Sequence, residues 1–326
     1  MGNNNEPKNT VGSPQSPRFL QFQHRNRGFP WFRMLVAVAV IIGASSLALR
    51  AVADEEYIAR LTEALRKEPN RVDLRKLRAI LLRQEARPAE ALSDLNRALQ
   101  VDPSDREARL QRGLTLSELR RDAEAESELD TFLKQETGFG RVFALAERGR
   151  IRARTGRPAL AVADLTAAIN LRPVAELYLV RGQVLEATGQ LGAAATGYQN
   201  GISRLGRGDS LTTALFRVQL AQGQFQSALA LVDQEIARLP VKTLWLLRRG
   251  ELHAAMGEEA QTKLDLDEAL IEANKVLEKK ITPIHLLSRA RVLIAMARFK
   301  EARLDLEDCV GLAPRFPGCR QLLATL

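Results

Sequence analysis

Histidine, cysteine and aromatic residues are scarce in this chain, and each scarcity closes off a kind of chemistry. Only three histidines occur in 326 residues. His24, His253 and His285 stand apart, with no partner at metal-ligand spacing, so no metal site is expected. No glycine loop of the phosphate-cradling kind and no serine elbow is present. Carboxylate pairs such as Asp265 and Asp267 sit among Arg and Lys, as on a solvated helix face. Neither a catalytic residue nor a cofactor is expected. Aromatics make up 5% of the chain while Ala, Leu, Arg and Glu dominate, a mixture that favours helix and predicts no strands.

The two cysteines, Cys309 and Cys319, flank the turn-forming Phe316-Pro317-Gly318. Two readings stand. An oxidising compartment would let a disulfide clip a terminal helix to its neighbour; otherwise Cys309 fills a small core slot and Cys319 is simply buried.

The formal charge of +9 invites a nucleic-acid reading, but residues 1–53 hold Lys8, Arg18, Arg25, Arg27, Arg33 and Arg50 against Glu6 alone. More than half of the surplus therefore belongs to the leader, and no nucleic-acid partner is expected. Residues 1–33 are rich in Asn, Pro, Gln and Arg without apolar periodicity, which predicts a disordered basic cytoplasmic tail. Residues 34–53 follow as a transmembrane anchor or signal peptide. The uncharged run MLVAVAVIIGASSLAL would span about 24 Å as a helix, short of a hydrocarbon core of roughly 30 Å. Trp31 and Phe32 stand where an interfacial aromatic belt would be, and the basic residues precede the run, which keeps the N-terminus in the cytoplasm. Ala51-Val52-Ala53 has the small-x-small form of a cleavage site. The long basic segment favours an uncleaved anchor in the inner membrane with the rest in the periplasm. The alternative is secretion to the periplasm after cleavage following Ala53.

Residues 54–326 are organised by repetition. Between Glu147 and Pro173 Arg148-Gly149 opens a pattern in which Gly156 marks a turn, Ala161, Leu165 and Ala168 follow at four- and three-residue steps, and Pro173 closes it. The order returns at Arg112-Gly113, Arg181-Gly182 and Arg249-Gly250, and more weakly at Arg78-Ala79 and Arg289-Ala290. Measured from Ala79 through Gly113, Gly149, Gly182, Phe216 and Gly250 to Ala290, the steps are 34, 36, 33, 34, 34 and 40 residues. The second helix of the sixth unit reads on through Lys280, and Pro283 behind Thr282 opens the seventh.

A period near 34 built of two helices, with small residues such as Gly149, Ala161 and Ala168 and a proline such as Pro173, resembles the tetratricopeptide repeat. The resemblance implies an all-α, right-handed α-solenoid of about seven helix pairs, with a leading half repeat and a short C-terminal capping helix. The usual aromatic of the first helix occurs only as Tyr178. Phe216 and Glu235 occupy sites that are small in other units, and Thr262 and Asn274 stand where Ala and Pro recur.

One regularity goes beyond the family pattern. Sixteen residues after each arginine stands an acid: Arg78 with Asp94, Arg112 with Glu128, Arg148 with Asp164, Arg249 with Asp265 and Arg289 with Asp305. In the fifth unit both members become leucine, Leu215 and Leu231, while Arg181 faces Gly197. Joint replacement predicts ion pairs between helices, because a buried charge left alone is costly. Arg181, without its acid, is the member expected to be free for another role.

In the resembled family the first helices line a concave groove that takes an extended peptide or a helix of another protein. Carried over, the groove candidates here are Leu110, Leu114, Leu179 and Arg181, with Arg150, Arg154 and Arg217 as its basic centre. The reading is a membrane-tethered or exported scaffold for protein–protein interaction in a bacterial-type cell envelope, serving assembly, secretion or export. The alternatives are a self-associating module, in which the atypical fifth and sixth units meet a second copy, and the regulatory subunit of an envelope enzyme.

Overall fold

The structure is a computed structural model that describes residues 54–326 apart from Glu136 and Phe139. The basic tail, the apolar run and the position after Ala53 lie outside the described residues. Sixteen helices and no strand occur among the described residues. Helix α1 (54–67) leads seven pairs. These are α2 (Val72–Gln84) with α3 (Pro88–Val101), α4 (Arg106–Glu118) with α5 (Asp122–Gln135), α6 (Gly140–Arg154) with α7 (Pro158–Leu171), and α8 (Ala175–Ala187) with α9 (Leu191–Leu205). The series continues through α10 (Asp209–Ala221) with α11 (Phe225–Arg238), α12 (Thr243–Ala255) with α13 (Glu259–Lys279), and α14 (Pro283–Ala295) with α15 (Phe299–Leu312). Helix α16 (Pro317–Leu323) closes the array.

Every pair is joined by three residues, which is too short for anything but an antiparallel return. The middle residue of each turn has a positive φ: Ala86, Arg120, Gly156, Gly189, Gly223, Gly257 and Ala297. There the chain leaves one helix in a left-handed cap, with Arg157 N–H donating to Arg152 O at 2.8 Å and equivalents in the other units. Glycine adopts this conformation without strain; Ala86, Arg120 and Ala297 hold it at the cost of a crowded Cβ.

Within a pair the backbones approach closely where the small residue stands. A Cβ at Gly113 would lie 2.9 Å from Leu129, and one at Gly149 would lie 2.9 Å from Leu165. At Gly182 it would overlap the ring edge and hydroxyl of fully buried Tyr198. The fifth pair takes another route. Phe216 is buried and meets Trp245 of the next pair edge-on, with ring centroids 6.4 Å apart, and α10 and α11 approach one another less closely than other partners do. Glu235, fully buried where other units carry a small residue, accepts from Arg207 at 3.1 Å and Arg238 at 2.5 Å. The fifth and sixth units are thus complete helix pairs with substituted packing.

Pro103, Pro173, Pro240 and Pro314 stand at the same place in their units, each just beyond a second helix. Asn274 replaces that proline in the sixth unit, and α13 runs on to Lys279, 21 residues in all. Its overrun is anchored by Leu277, which is buried with Leu286, Leu287 and Leu293 of α14. At the far end, Cys309 of α15 and Cys319 of α16 form a disulfide with Cα atoms 6.1 Å apart, both fully buried.

The turn geometry makes a paired prediction. Gly156→Ala, with open space around the new methyl, destabilises the protein by about 1 kcal/mol through backbone strain alone. Ala297→Gly stabilises it by about 0.5 kcal/mol. Urea-denaturation midpoints of the two variants against the parent check both signs.

Candidate functional site: the first-helix face and its paired charges

The packing just described places a charged pair one residue before each glycine–leucine contact. Arg78 meets Asp94 at 2.6 Å, Arg112 meets Glu128 at 2.6 Å, Arg148 meets Asp164 at 2.6 Å, Arg249 meets Asp265 at 2.7 Å and Arg289 meets Asp305 at 2.6 Å. All five join the first and second helix of one unit. Arg78, Arg148 and Arg289 grip both oxygens of their aspartate, the fork-on-carboxylate geometry that suits guanidinium. Asp94, Asp164, Asp265 and Asp305 are buried. Hydrogen bonding to Asp305 raises the pKa of Arg289, with burial opposing it.

Each arginine also reaches back to the second helix of the preceding unit, a contact the sixteen-residue spacing did not disclose. Arg78 donates to Thr62, Arg112 to Asn96, Arg148 to Asp130, Arg249 to Asp233 and Arg289 to Asn274. The guanidinium thus fastens three helices. In the sequence the signal was a polar residue fifteen to eighteen positions before each arginine, irregular in both type and distance. Leu215 and Leu231 replace the charged pair in the fifth unit by packing against one continuous apolar cluster.

Arg181 is not a free cation. Its guanidinium lies 5.6 Å from the Tyr178 ring centroid, donates to Thr166 Oγ1 at 3.2 Å and fills the space beside Gly197. Burial without a carboxylate lowers its pKa, and its Nε is sealed from water with no partner. Leu110 also departs from expectation: it is buried in the core, so it cannot face a ligand. Leu114 and Leu179 are half-buried against the same core.

The three arginines expected as a basic centre are already paired. Arg150 bridges Glu147 at 3.2 Å and Glu176 at 2.5 Å; Arg154 meets Asp122 at 2.5 Å; Arg217 meets Glu186 at 2.8 Å. Glu186 also accepts from the Tyr198 hydroxyl at 2.5 Å, and burial followed by that carboxylate raises the phenol's pKa. Farther back, Lys76 reaches Glu107 at 2.8 Å and Arg83 reaches Glu118 at 2.5 Å. Arg154–Asp122 ties α6 to the start of second helix α5. The contacts of Lys76, Arg83 and Arg217, and that of Arg150 with Glu176, join successive first helices, α2 to α4, α6 to α8 and α8 to α10, while Ser117 of α4 bonds to Glu147 of α6. A self-neutralised ladder therefore runs along this face from the first unit to the fifth. A hydrogen bond from Arg154 lowers the Asp122 pKa against a smaller effect of burial.

Among the described residues no helix is long and apolar enough to cross a membrane, and no group of His, Cys, Asp and Glu could hold a metal ion.

The tetratricopeptide repeat family model matches residues 76–136 and 147–210. No curated protein matches the sequence. Among solved structures, the C-terminal part of a tetratricopeptide-repeat-containing protein from Cytophaga hutchinsonii is 15% identical with a TM-score of 0.54, over 74% of this chain and 97% of its own. PilW, a widely conserved type IV pilus biogenesis factor, is 23% identical with a TM-score of 0.51, over 60% of this chain and 91% of its own. Yeast Tom70 is 17% identical with a TM-score of 0.54, over 84% of this chain and 58% of its own. These likenesses are of fold. The described residues form an α-solenoid of tetratricopeptide-like helix pairs, and residues 76–136 and 147–210 match the repeat family itself.

Removing one member of the seventh unit's pair isolates its partner. Arg289→Leu, which leaves Asp305 buried alone, costs about 3 kcal/mol, and the double variant with Asp305→Leu regains more than half of that loss. Additive losses in urea titrations would contradict the pairing. The Asp122 contact makes stability fall in acid: a carboxylate with a lowered folded pKa stabilises above its ordinary value near about 4 and loses that contribution as pH falls through the lower folded value. Asp122→Asn therefore lowers the thermal midpoint at neutral pH and flattens its decline below about pH 4, as read by calorimetry across pH.

Proposed function

We propose that this chain is a protein-binding scaffold, held at or exported across a membrane, whose repeats work in the periplasm of a bacterial-type envelope on the assembly, secretion or export of other components. The supporting observation is the asymmetry of the first helices. One face of each packs into the core, while Gln183, Arg217, Glu251 and Arg291 on successive first helices remain exposed. A row of this kind offers an extended peptide or a helix many shallow contacts, and binding needs no reacting group.

Location rests on two observations of different kinds. The uncharged run 34–49 with basic residues before it has the layout of an export or anchoring segment. The buried Cys309–Cys319 disulfide suits an oxidising compartment.

A photo-crosslinking residue at Gln183, on the first-helix face, is expected to give a discrete protein adduct in envelope fractions. The same residue at Leu160, exposed on second helix α7, should give none. Equal adducts from both positions count against a groove. Alkaline phosphatase, active only where its disulfides form, fused after Leu326 should be active with residues 1–53 present and inactive without them; activity independent of those residues would overturn the location.

A further inference from the structure

The ladder of paired charges stops at α10. Beyond it, Arg248 of α12 and Arg291 of α14 have no ion pair, although Glu251 lies near both. The Arg248 guanidinium instead lies over the Trp245 ring, 4.3 Å from its centroid. At the same place the edge of the solenoid opens into a recess of about 340 Å³. It lies where first helices begin and second helices end, away from the middle of the first-helix face. Its walls come from the starts of α10, α12 and α14, the loop between α11 and α12, and the end of α13.

Two features mark this recess. Its apolar mouth is open: Val241, in the loop between α11 and α12, is 47% exposed and Ile284, at the start of α14, is 49% exposed. Its rim is cationic. The α13 overrun carries Lys275 and Lys279, followed by Lys280, all exposed and without an ion pair, around a second hollow of about 230 Å³. The two hollows share Pro240, Val241, Val276 and His285. The His285 Nδ1–H donates to Lys280 O at 2.8 Å, fixing the connection between α13 and α14 at their junction. Together the walls hold four permanent cations, Arg248, Lys275, Lys279 and Lys280, against Asp209 and Glu272. Between successive first helices from α2 to α10, by contrast, Lys76, Arg83, Arg150 and Arg217 meet carboxylates of the same chain.

We propose that this edge recess docks an acidic peptide segment of the partner protein, seating one of its apolar side chains between Val241 and Ile284 while its carboxylates meet the lysines of the α13 overrun. The proposal rests on the scaffold reading and gives it a place and a chemistry. An unpaired cationic rim around an open apolar slot favours an acidic chain interrupted by an aromatic or branched side chain.

The test uses the chain from Asp54 to Leu326 as well as the full chain, with fluorescence anisotropy of a labelled octapeptide, Glu-Glu-Glu-Phe-Leu-Glu-Glu-Glu. Lys275→Glu with Lys279→Glu, and separately Val241→Asp, should each weaken binding at least about tenfold. Lys300→Glu, an exposed cation at the start of α15 on the opposite edge, should change it less than about twofold. Thermal midpoints within error of the parent establish that the variants fold. Replacing Phe-Leu by Ala-Ala should also weaken binding about tenfold, and replacing every Glu by Lys should abolish it. No binding of the acidic peptide, equal binding of the Ala-Ala peptide, or insensitivity to both rim variants would overturn the proposal. If Gln183 crosslinks a partner while the peptide never binds, the edge proposal fails and the scaffold reading stands. Peptide binding at the edge with equal adducts from Gln183 and Leu160 gives the reverse result.

Discussion

Two antiparallel helices can be held at close range only if nothing intrudes where they cross and any charge trapped beside the crossing is matched. Both conditions are met in this chain by adjacent residues. Glycine or alanine admits the bulky residue sixteen positions later, and the arginine just before it takes the acid just before that residue. Since the arginine also reaches the preceding second helix, the device that closes one unit fastens it to the last. In the five units that carry the pair, local pairing and longitudinal stacking therefore depend on one guanidinium each, and a repeat array needs both because each unit contacts only its neighbours.

The fifth unit shows what happens when the device is withdrawn. Leu215 and Leu231 take over from the charged pair, Phe216 fills the space that a closer crossing would have closed, and Trp245 of the next unit receives its ring. Burying apolar groups in place of an ion pair loses little stability, because desolvating two charges consumes much of their attraction. The array continues through this unit, but its surface changes character beyond it. The ion pairs between successive first helices end with Glu186 and Arg217, and the overrun of α13 adds lysines that have no ion pair.

Much of the architecture was legible in the sequence because tight crossings restrict residue choice. The 34-residue step, the proline stops and the joint change at Leu215 and Leu231 are each the trace of a steric or electrostatic requirement. Even the overrun of α13 was visible, since Asn274 in place of proline leaves nothing to stop the helix. The first-helix face was read less well. Arg150, Arg154 and Arg217 looked like a basic centre because their acids, Glu176, Asp122 and Glu186, lie 26 to 32 residues away along the chain, at separations that vary with loop length. Arg181 looked free because no carboxylate follows it at the usual interval, yet a ring and a hydroxyl occupy it.

By itself the sequence determined the repeating helix pair, its length and its internal crosslink, because these depend on residues a fixed distance apart on two short helices. Tertiary structure alone decided which charges remain unsatisfied and where an opening lies. Those outcomes depend on how successive units are rotated against one another and on how far α13 projects past its neighbours, and neither quantity is carried by a fixed spacing in the chain.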